Sequence, residues 1–600
     1  MDSSSQKKLN DLNNPFVEEV IRKTVKLCKP NKITLLSDSE KDKEYVRKLA
    51  IKNGEEKTLN TFGHTYHFDG PFDQGRDKEQ TKVLLEKGET IGKHINIGDR
   101  NPCLAEIFSY LNNSMKSREM LISFYCLGPN NSRFSLLCLQ ITDSAYVAHS
   151  ENLLYRSGYE QFKTLKDKKD FFYFVHSSGE LTNGVSKNVD KKRIYIDLKE
   201  NRVFSVNTQY AGNSVGLKKL ALRLAIKKSS ISDWLCEHML IIGIRPQKKD
   251  RVTYFTGAFP SACGKTSTAM ISGQTIIGDD IAYLKTDKNG IAHTANVEKG
   301  IFGIISDINP KDDPLIYKVL TEKRELIFSN VLISGNNPYW LGMRKDLPQK
   351  GINYSGNWSE GKKDDKGNEI KAAHPNARYT LKISDLPNAD QHLENPNGVP
   401  VSGIIYGGRD TDTSPPVVEA FNWIHGVFMG ASIESETTAA VIGKVGVRMH
   451  NPMANLDFMV IPLPLYIEKH LRFGASLKHM PLIFTVNYFQ KENGQFLTEK
   501  VDKKVWLLWM EGRVHREFGA IETPIGLIPK YEDLKVLFRQ IFNKDYSKEQ
   551  YKIQFKIRTD KLLDKLERIE TIFRQEKGIP AMIFHLISEQ KKRLKDTKKT

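Results

Sequence analysis

The stretch VTYFTGAFPSACGKTSTAMISG, residues 252–273, constrains this chain more than any other. Val252 to Phe259 is short, apolar and rich in β-branched and aromatic residues, the composition of a buried strand. Small residues follow, then Gly264-Lys265-Thr266 and a segment that begins as a helix. A strand, a tight turn and a helix in that order point backbone N–H groups at an oxyanion, with a lysine for charge and a hydroxyl for a metal. The usual spacing, G-x-x-x-x-G-K-S/T, sets a glycine at 259, where Phe259 stands. The loop is therefore either broken or of another kind. Ser261 to Thr266 keeps the required chemistry: Ala262 and Gly264 leave the backbone approachable, Lys265 supplies a cation and Thr266 a hydroxyl.

A GKT tripeptide alone is weak evidence, and its neighbours carry the argument further. HMLIIGI, from His238, reads as a second buried strand, and QTIIGDDIAYL, from Gln274, as a strand bearing the adjacent acids Asp279 and Asp280. Two carboxylates side by side repel, which a divalent cation relieves; a cap is the plainer alternative. Elsewhere, Glu119 to Ile141 reads as strands, and RIYIDLKENRVFSV, from Arg193, as a hairpin turning at KEN. Residues 351–398 read as irregular, and DKLLDKLERIETIFRQE, from Asp560, as an amphipathic helix. The pattern predicts an α/β protein with mixed sheets.

At 600 residues the chain exceeds one core, so two or more lobes with a cleft are expected. It is 39% hydrophobic, has no apolar run near eighteen residues and no basic-then-apolar leader, and reads as soluble. Six scattered cysteines without C-x-x-C pairs argue against a disulfide framework or structural zinc and favour a reducing, cytoplasmic setting. The formal charge of +18 and the lysine-rich end from Gln590 raise nucleic-acid binding. The lysines are spread along the chain, however, so a solvated basic surface is the favoured reading and a nucleic-acid partner is not expected.

SACGKT followed by GDDIAYL is similar to the phosphate and metal loops of the GTP-type phosphoenolpyruvate carboxykinases. The resemblance runs in order from about Asp69 to Pro529, through DSAYVAHS, YAGNSVGLKK, WLCEHMLIIGI, AHPNAR, GIIYGGR, FNWIHGVFMGAS, SETTAA, MHNPMA and TPIGLIP. It implies a two-lobed fold with an N-terminal substrate-binding domain (1–235), a C-terminal phosphate and nucleotide domain (236–600) and a mobile lid at about 437–447. The implied reaction converts oxaloacetate to phosphoenolpyruvate and CO2, by a monomer without membrane partners. By motif, Mn2+ falls to Lys219, His238 and Asp280, with Asp279 in the metal-binding set. A second divalent ion such as Mg2+ accompanies the phosphoryl donor at Thr266. Without the motif, His238 reads as a satisfied core histidine. Arg76 and Arg378 match the arginines on the substrate carboxylates and the leaving CO2. Tyr210, Gly212, Ser261 and Asn376 fall at substrate contacts, Lys218 at the enolate, and Lys265 and Arg409 at the transferring phosphoryl group. Cys263, inside the loop, is expected to carry a lowered thiol pKa from backbone N–H groups and Lys265.

The chain departs from the family where the base binds. Phe489 and Phe496 match two of the guanine-stacking rings, but TEKVDKK replaces the P-G-F-G-E-N stretch with its third ring and base-reading asparagine. Ser267 replaces the asparagine after GKT, and Glu434 stands where arginine is common before the lid. GTP is the donor by family default, and pyrophosphate is the alternative that an eroded base clamp raises. A nucleic-acid-linked NTPase would need a full glycine-rich motif or N-K-x-D, both absent. A non-catalytic relative has no physical need for so many clustered charges.

Overall fold

The computed structural model describes residues 1–214, 218–260, 263–437 and 446–598. They form two compact units, each built from two pieces of chain. The first takes Met1–Lys227 and Val297–Ala389, the second Lys228–Asn296 and Asp390–Thr600. Among the described residues no helix is long and apolar enough to cross a membrane. All six cysteines are buried.

The first unit is organised on a nine-stranded mixed sheet that begins Lys32–Leu35, Glu119–Leu127, Leu136–Thr142, Phe171–Ser177. Its expected hairpin is present, Arg193–Asp197 antiparallel to Arg202–Val206, with Asn201 in the left-handed conformation the turn needs. A five-stranded sheet joins the unit's two pieces, since His64–His67 pairs in parallel with Leu326–Ser329. Residues 351–398 are less irregular than their composition suggests. Lys350–Asn353 and Gly356–Ser359 form a hairpin, and Arg378–Lys382 is a strand of the five-stranded sheet, because its YTL core supplies β-forming side chains that the sheet buries.

In the second unit an eight-stranded sheet has three central parallel neighbours, Thr253–Ala258, Gly403–Gly408 and Leu482–Asn487. Their carboxyl ends therefore share one edge, where open α/β sheets bind ligands. QTIIGDDIAYL is two strands rather than one: Thr275–Gly278 belongs to the eight-stranded sheet and Ala282–Thr286 to a four-stranded sheet. Asp279 and Asp280 occupy the crossing, and a Cβ on Gly278 would lie 2.4 Å from Asn296 Oδ1. The amphipathic helix Thr559–Gln575 buries Leu562, Leu566, Ile569 and Phe573 and packs on Ala581–Thr597. The basic end is thus largely structural: Leu594 is buried, and Lys591 bridges Glu567 and Glu570.

Candidate active site

The edge formed by the parallel strands explains Phe259. Its ring is fully buried and lies over Gly407, where a Cβ would meet it at 2.2 Å. It stacks on Tyr488, with centroids 6.0 Å apart, and Tyr488 in turn packs on Gly264, whose φ of 103° favours glycine. Phe259 thus ties the loop to the ends of the two neighbouring strands, a job a glycine could not do. Beyond it, Lys265–Ala269 is a single helical turn, with Ser267 and Thr268 hydroxyls donating to the Gly264 carbonyl. Thr266 lies in that turn; Ser261 and Ala262 fall outside the described residues.

Two polar groups, each from a junction between two strands, meet Lys265 at the start of this turn. His238 Nδ1 lies 3.0 Å from the Ala454 carbonyl, which assigns the ring proton to Nδ1 and leaves the Nε2 lone pair facing inward. Nε2 is 3.0 Å from Asp280 Oδ1, and Lys265 Nζ contacts both, at 2.6 Å from Nε2. Two lone-pair donors that share an ammonium are arranged around a cation, and an imidazole with a carboxylate suits a divalent transition metal. Among the described residues no third His, Cys, Asp or Glu completes a metal cluster with them. Asp279 is buried next to Asp280.

Arg409 follows the second parallel strand. Its N–H donates to Ser435 Oγ at 3.1 Å, and the same hydroxyl lies 3.3 Å from Cys263 Sγ. Burial pushes the Cys263 thiol up, against the opposing effects of Ser435 and Arg409. The expectation of a lowered thiol pKa is therefore corrected: at 1% exposure, desolvation of the thiolate outweighs nearby donors. The Arg409 guanidinium lies over the Phe489 ring, whereas Phe496 is 54% exposed with Lys491 above it at 4.5 Å. The two ends of the expected lid are joined: Thr437 N donates to Val447 O, and Glu434–Glu436 pairs with Arg448–His450. Residues 438–445 of that segment lie outside the described residues. Glu434 is buried and gripped by both arms of Arg568, at 3.0 and 2.8 Å.

In the first unit the predicted substrate residues also converge. Arg378 Nη2 donates to Asn376 Oδ1 at 2.7 Å, and Asn376 Nδ2 donates to Tyr210 OH at 3.0 Å and to Gln74 O at 2.7 Å. The loop bearing Arg76 is held to this group through Gly75, whose carbonyl accepts from Asn213 at 3.1 Å. Gly212 leaves room for the Tyr210 ring, since a Cβ there would lie 2.4 Å from it. Burial holds His374 neutral with a pKa near 4, and its Nδ1 accepts from Asn376 N. Lys218 Nζ donates to Glu298 at 2.7 Å, both buried. Lys219 opens the helix Lys219–Ser230, with its carbonyl accepting from Arg223.

Two supports were not legible from sequence. Asp73 is buried and accepts from Lys192, Thr208 Oγ1 and the N–H groups of Gln209 and Tyr210, fixing the Tyr210 turn against the Arg76 loop. Glu298 meets Lys218 from 80 residues away. A buried acid announces itself only through its partners, and neither position carries a local motif.

Residues 19–230 match the phosphoenolpyruvate carboxykinase N-terminal domain, and residues 234–593 the phosphoenolpyruvate carboxykinase C-terminal P-loop domain. The chain is 51% identical over 597 residues to a Pyrococcus furiosus protein named phosphoenolpyruvate carboxykinase (GTP), covering 99% of this chain and 95% of the relative. A Saccharolobus solfataricus protein of the same name is 47% identical, covering 98% and 94%. One from Chlamydia muridarum is 35% identical, covering 86% and 88%.

Proposed function

Because the chain belongs to the phosphoenolpyruvate carboxykinase family, we propose that it interconverts oxaloacetate and phosphoenolpyruvate plus CO2, with GTP as phosphoryl donor and GDP as acceptor. Oxaloacetate loses a carboxylate as CO2, and the oxygen of the resulting enolate takes the γ-phosphoryl group of GTP. Each step moves negative charge, so fixed cations at the reacting atoms lower the barrier. The single observation that carries this reading is the meeting of His238 and Asp280 with Lys265 of the glycine turn, from positions 27 and 15 residues away from it.

In this reading Arg378, oriented by Asn376, and Arg76 bind the carboxylates, and the Tyr210 turn positions the substrate. Lys218, held by Glu298, stabilises the enolate oxygen. Lys265 and Arg409 draw charge from the transferring phosphoryl group, and Thr266 serves its accompanying divalent ion. His238 and Asp280, with Lys219 by the family's motif, would hold Mn2+. Bound there, the metal would supply Lewis-acid stabilisation of the enolate oxygen.

The test is carboxylation of phosphoenolpyruvate with bicarbonate, with GDP, ADP or inorganic phosphate as acceptor. GDP is expected to support turnover. Turnover with phosphate but not GDP would replace GTP by pyrophosphate as the donor, and turnover with no acceptor would remove the reaction itself.

A further inference from the structure

We propose that the second unit holds a binding site for a short aliphatic monocarboxylate, its carboxylate received by Lys565 and Gln590 and its chain lying on Phe428, Ile433 and Leu562. The site is a cavity framed by the helices Trp423–Ala431, Thr559–Gln575 and Ala581–Thr597 and by the strand Leu482–Asn487. It encloses about 70 Å³, roughly five times what a single water requires. That suits a ligand of about six heavy atoms.

Its polar lining is unequal. Asp410 accepts from Thr413 N, Ser414 N and Ser414 Oγ at 2.7 to 3.0 Å and from Arg448 at 3.3 Å. Glu434 is answered by the Arg568 fork. Both carboxylates are thus satisfied within the protein. Lys565 makes no hydrogen bond or ion pair among the described residues. Burial lowers its pKa, although Asp410 and Glu434 oppose the shift. Asp410 and Glu434 act on this ammonium only from beyond hydrogen-bond contact, each held by its own donors, and a buried ammonium with no acceptor in contact is costly, a cost that an incoming carboxylate removes.

Gln590 is oriented to help. Phe421 N–H donates to His425 Nδ1 at 3.2 Å, so the His425 proton is on Nε2, which faces Gln590 Oε1 at 3.4 Å. Burial keeps His425 neutral, with its pKa near 4. With the amide oxygen so engaged, the Gln590 NH2 is a second donor without an acceptor among the described residues. A cation, an amide donor and apolar walls together select an anion with a hydrocarbon body.

The cavity is separate from the phosphate loop. Successive residues of a strand face opposite ways: Glu434 lines the cavity, while Ser435 faces Cys263 and Arg409.

Isothermal titration of the full chain with butyrate, and with butyramide as a neutral isostere, tests the proposal. Butyrate is expected to bind at one site per chain, with butyramide at least tenfold weaker. Lys565→Met and Gln590→Leu, each checked for wild-type thermal unfolding, are each expected to weaken butyrate binding tenfold or more. Absence of butyrate binding, equal binding of butyramide, or butyrate binding unchanged in either folded variant overturns the proposal. The comparison of the two ligands on the wild-type chain stands even if a variant does not fold.

Discussion

The guanidinium of Arg409 lies 3.9 Å from the centroid of the Phe489 ring. A group assigned to the phosphoryl end of the donor thus rests on a ring assigned to its base end. A guanidinium over an aromatic face contributes about 0.5–2 kcal/mol, comparable to the roughly 1–3 kcal/mol of base stacking, so a base can compete for that face.

Phe489→Ala is therefore expected to raise KM for GDP, by about fivefold to a hundredfold on the stacking range, while KM for phosphoenolpyruvate stays within about twofold. An unchanged KM for GDP would remove Phe489 from base recognition.

Because burial raises the Cys263 thiol pKa, alkylation by iodoacetamide is expected to be slow at neutral pH and to accelerate through the alkaline range. The measurement is the rate of loss of the Cys263 peptide against pH. A fast rate that is already at its plateau by pH 7 would show a thiolate and contradict the burial argument.

Glu434→Arg would place a third guanidinium beside Arg568 and Arg448 and leave Arg568 without its partner. A loss of about 2 kcal/mol is expected, below the 3–5 kcal/mol of fully buried pairs because Arg568 is 43% exposed. The check is the thermal midpoint, with partial recovery in Glu434→Arg/Arg568→Glu. If the single variant unfolds with the wild type, the pair contributes nothing.

His149 is buried between Glu56 and Glu325. Burial alone would lower its pKa, but the two carboxylates raise it from 6.5 to about 9. Its folded pKa exceeds the unfolded value, so the contribution, on the order of 3 kcal/mol, is complete below pH 6.5 and lost as pH rises through 9. Urea unfolding of the wild type is expected to weaken across that window, and His149→Gln to flatten the dependence. Equal slopes would show that the triad does not titrate.

Contiguous residues were enough to settle the local parts of the fold. Strand, turn and helix around Gly264 follow from residue size and periodicity over two dozen positions, and the ordered motifs carry the family because each is a contiguous string. The hairpin through Asn201 and the helix Thr559–Gln575 were legible for the same reason. What distant residues do to one another emerged from the folded chain. That residues 297–389 rejoin the first unit, that Phe259 fills the space over Gly407, and that Glu298 answers Lys218 all depend on chain reversals no local pattern encodes. The Cys263 thiol makes the physical reason plain: its neighbours in sequence are donors that favour the thiolate, but ionisation responds to solvent access, and burial is set by the whole fold.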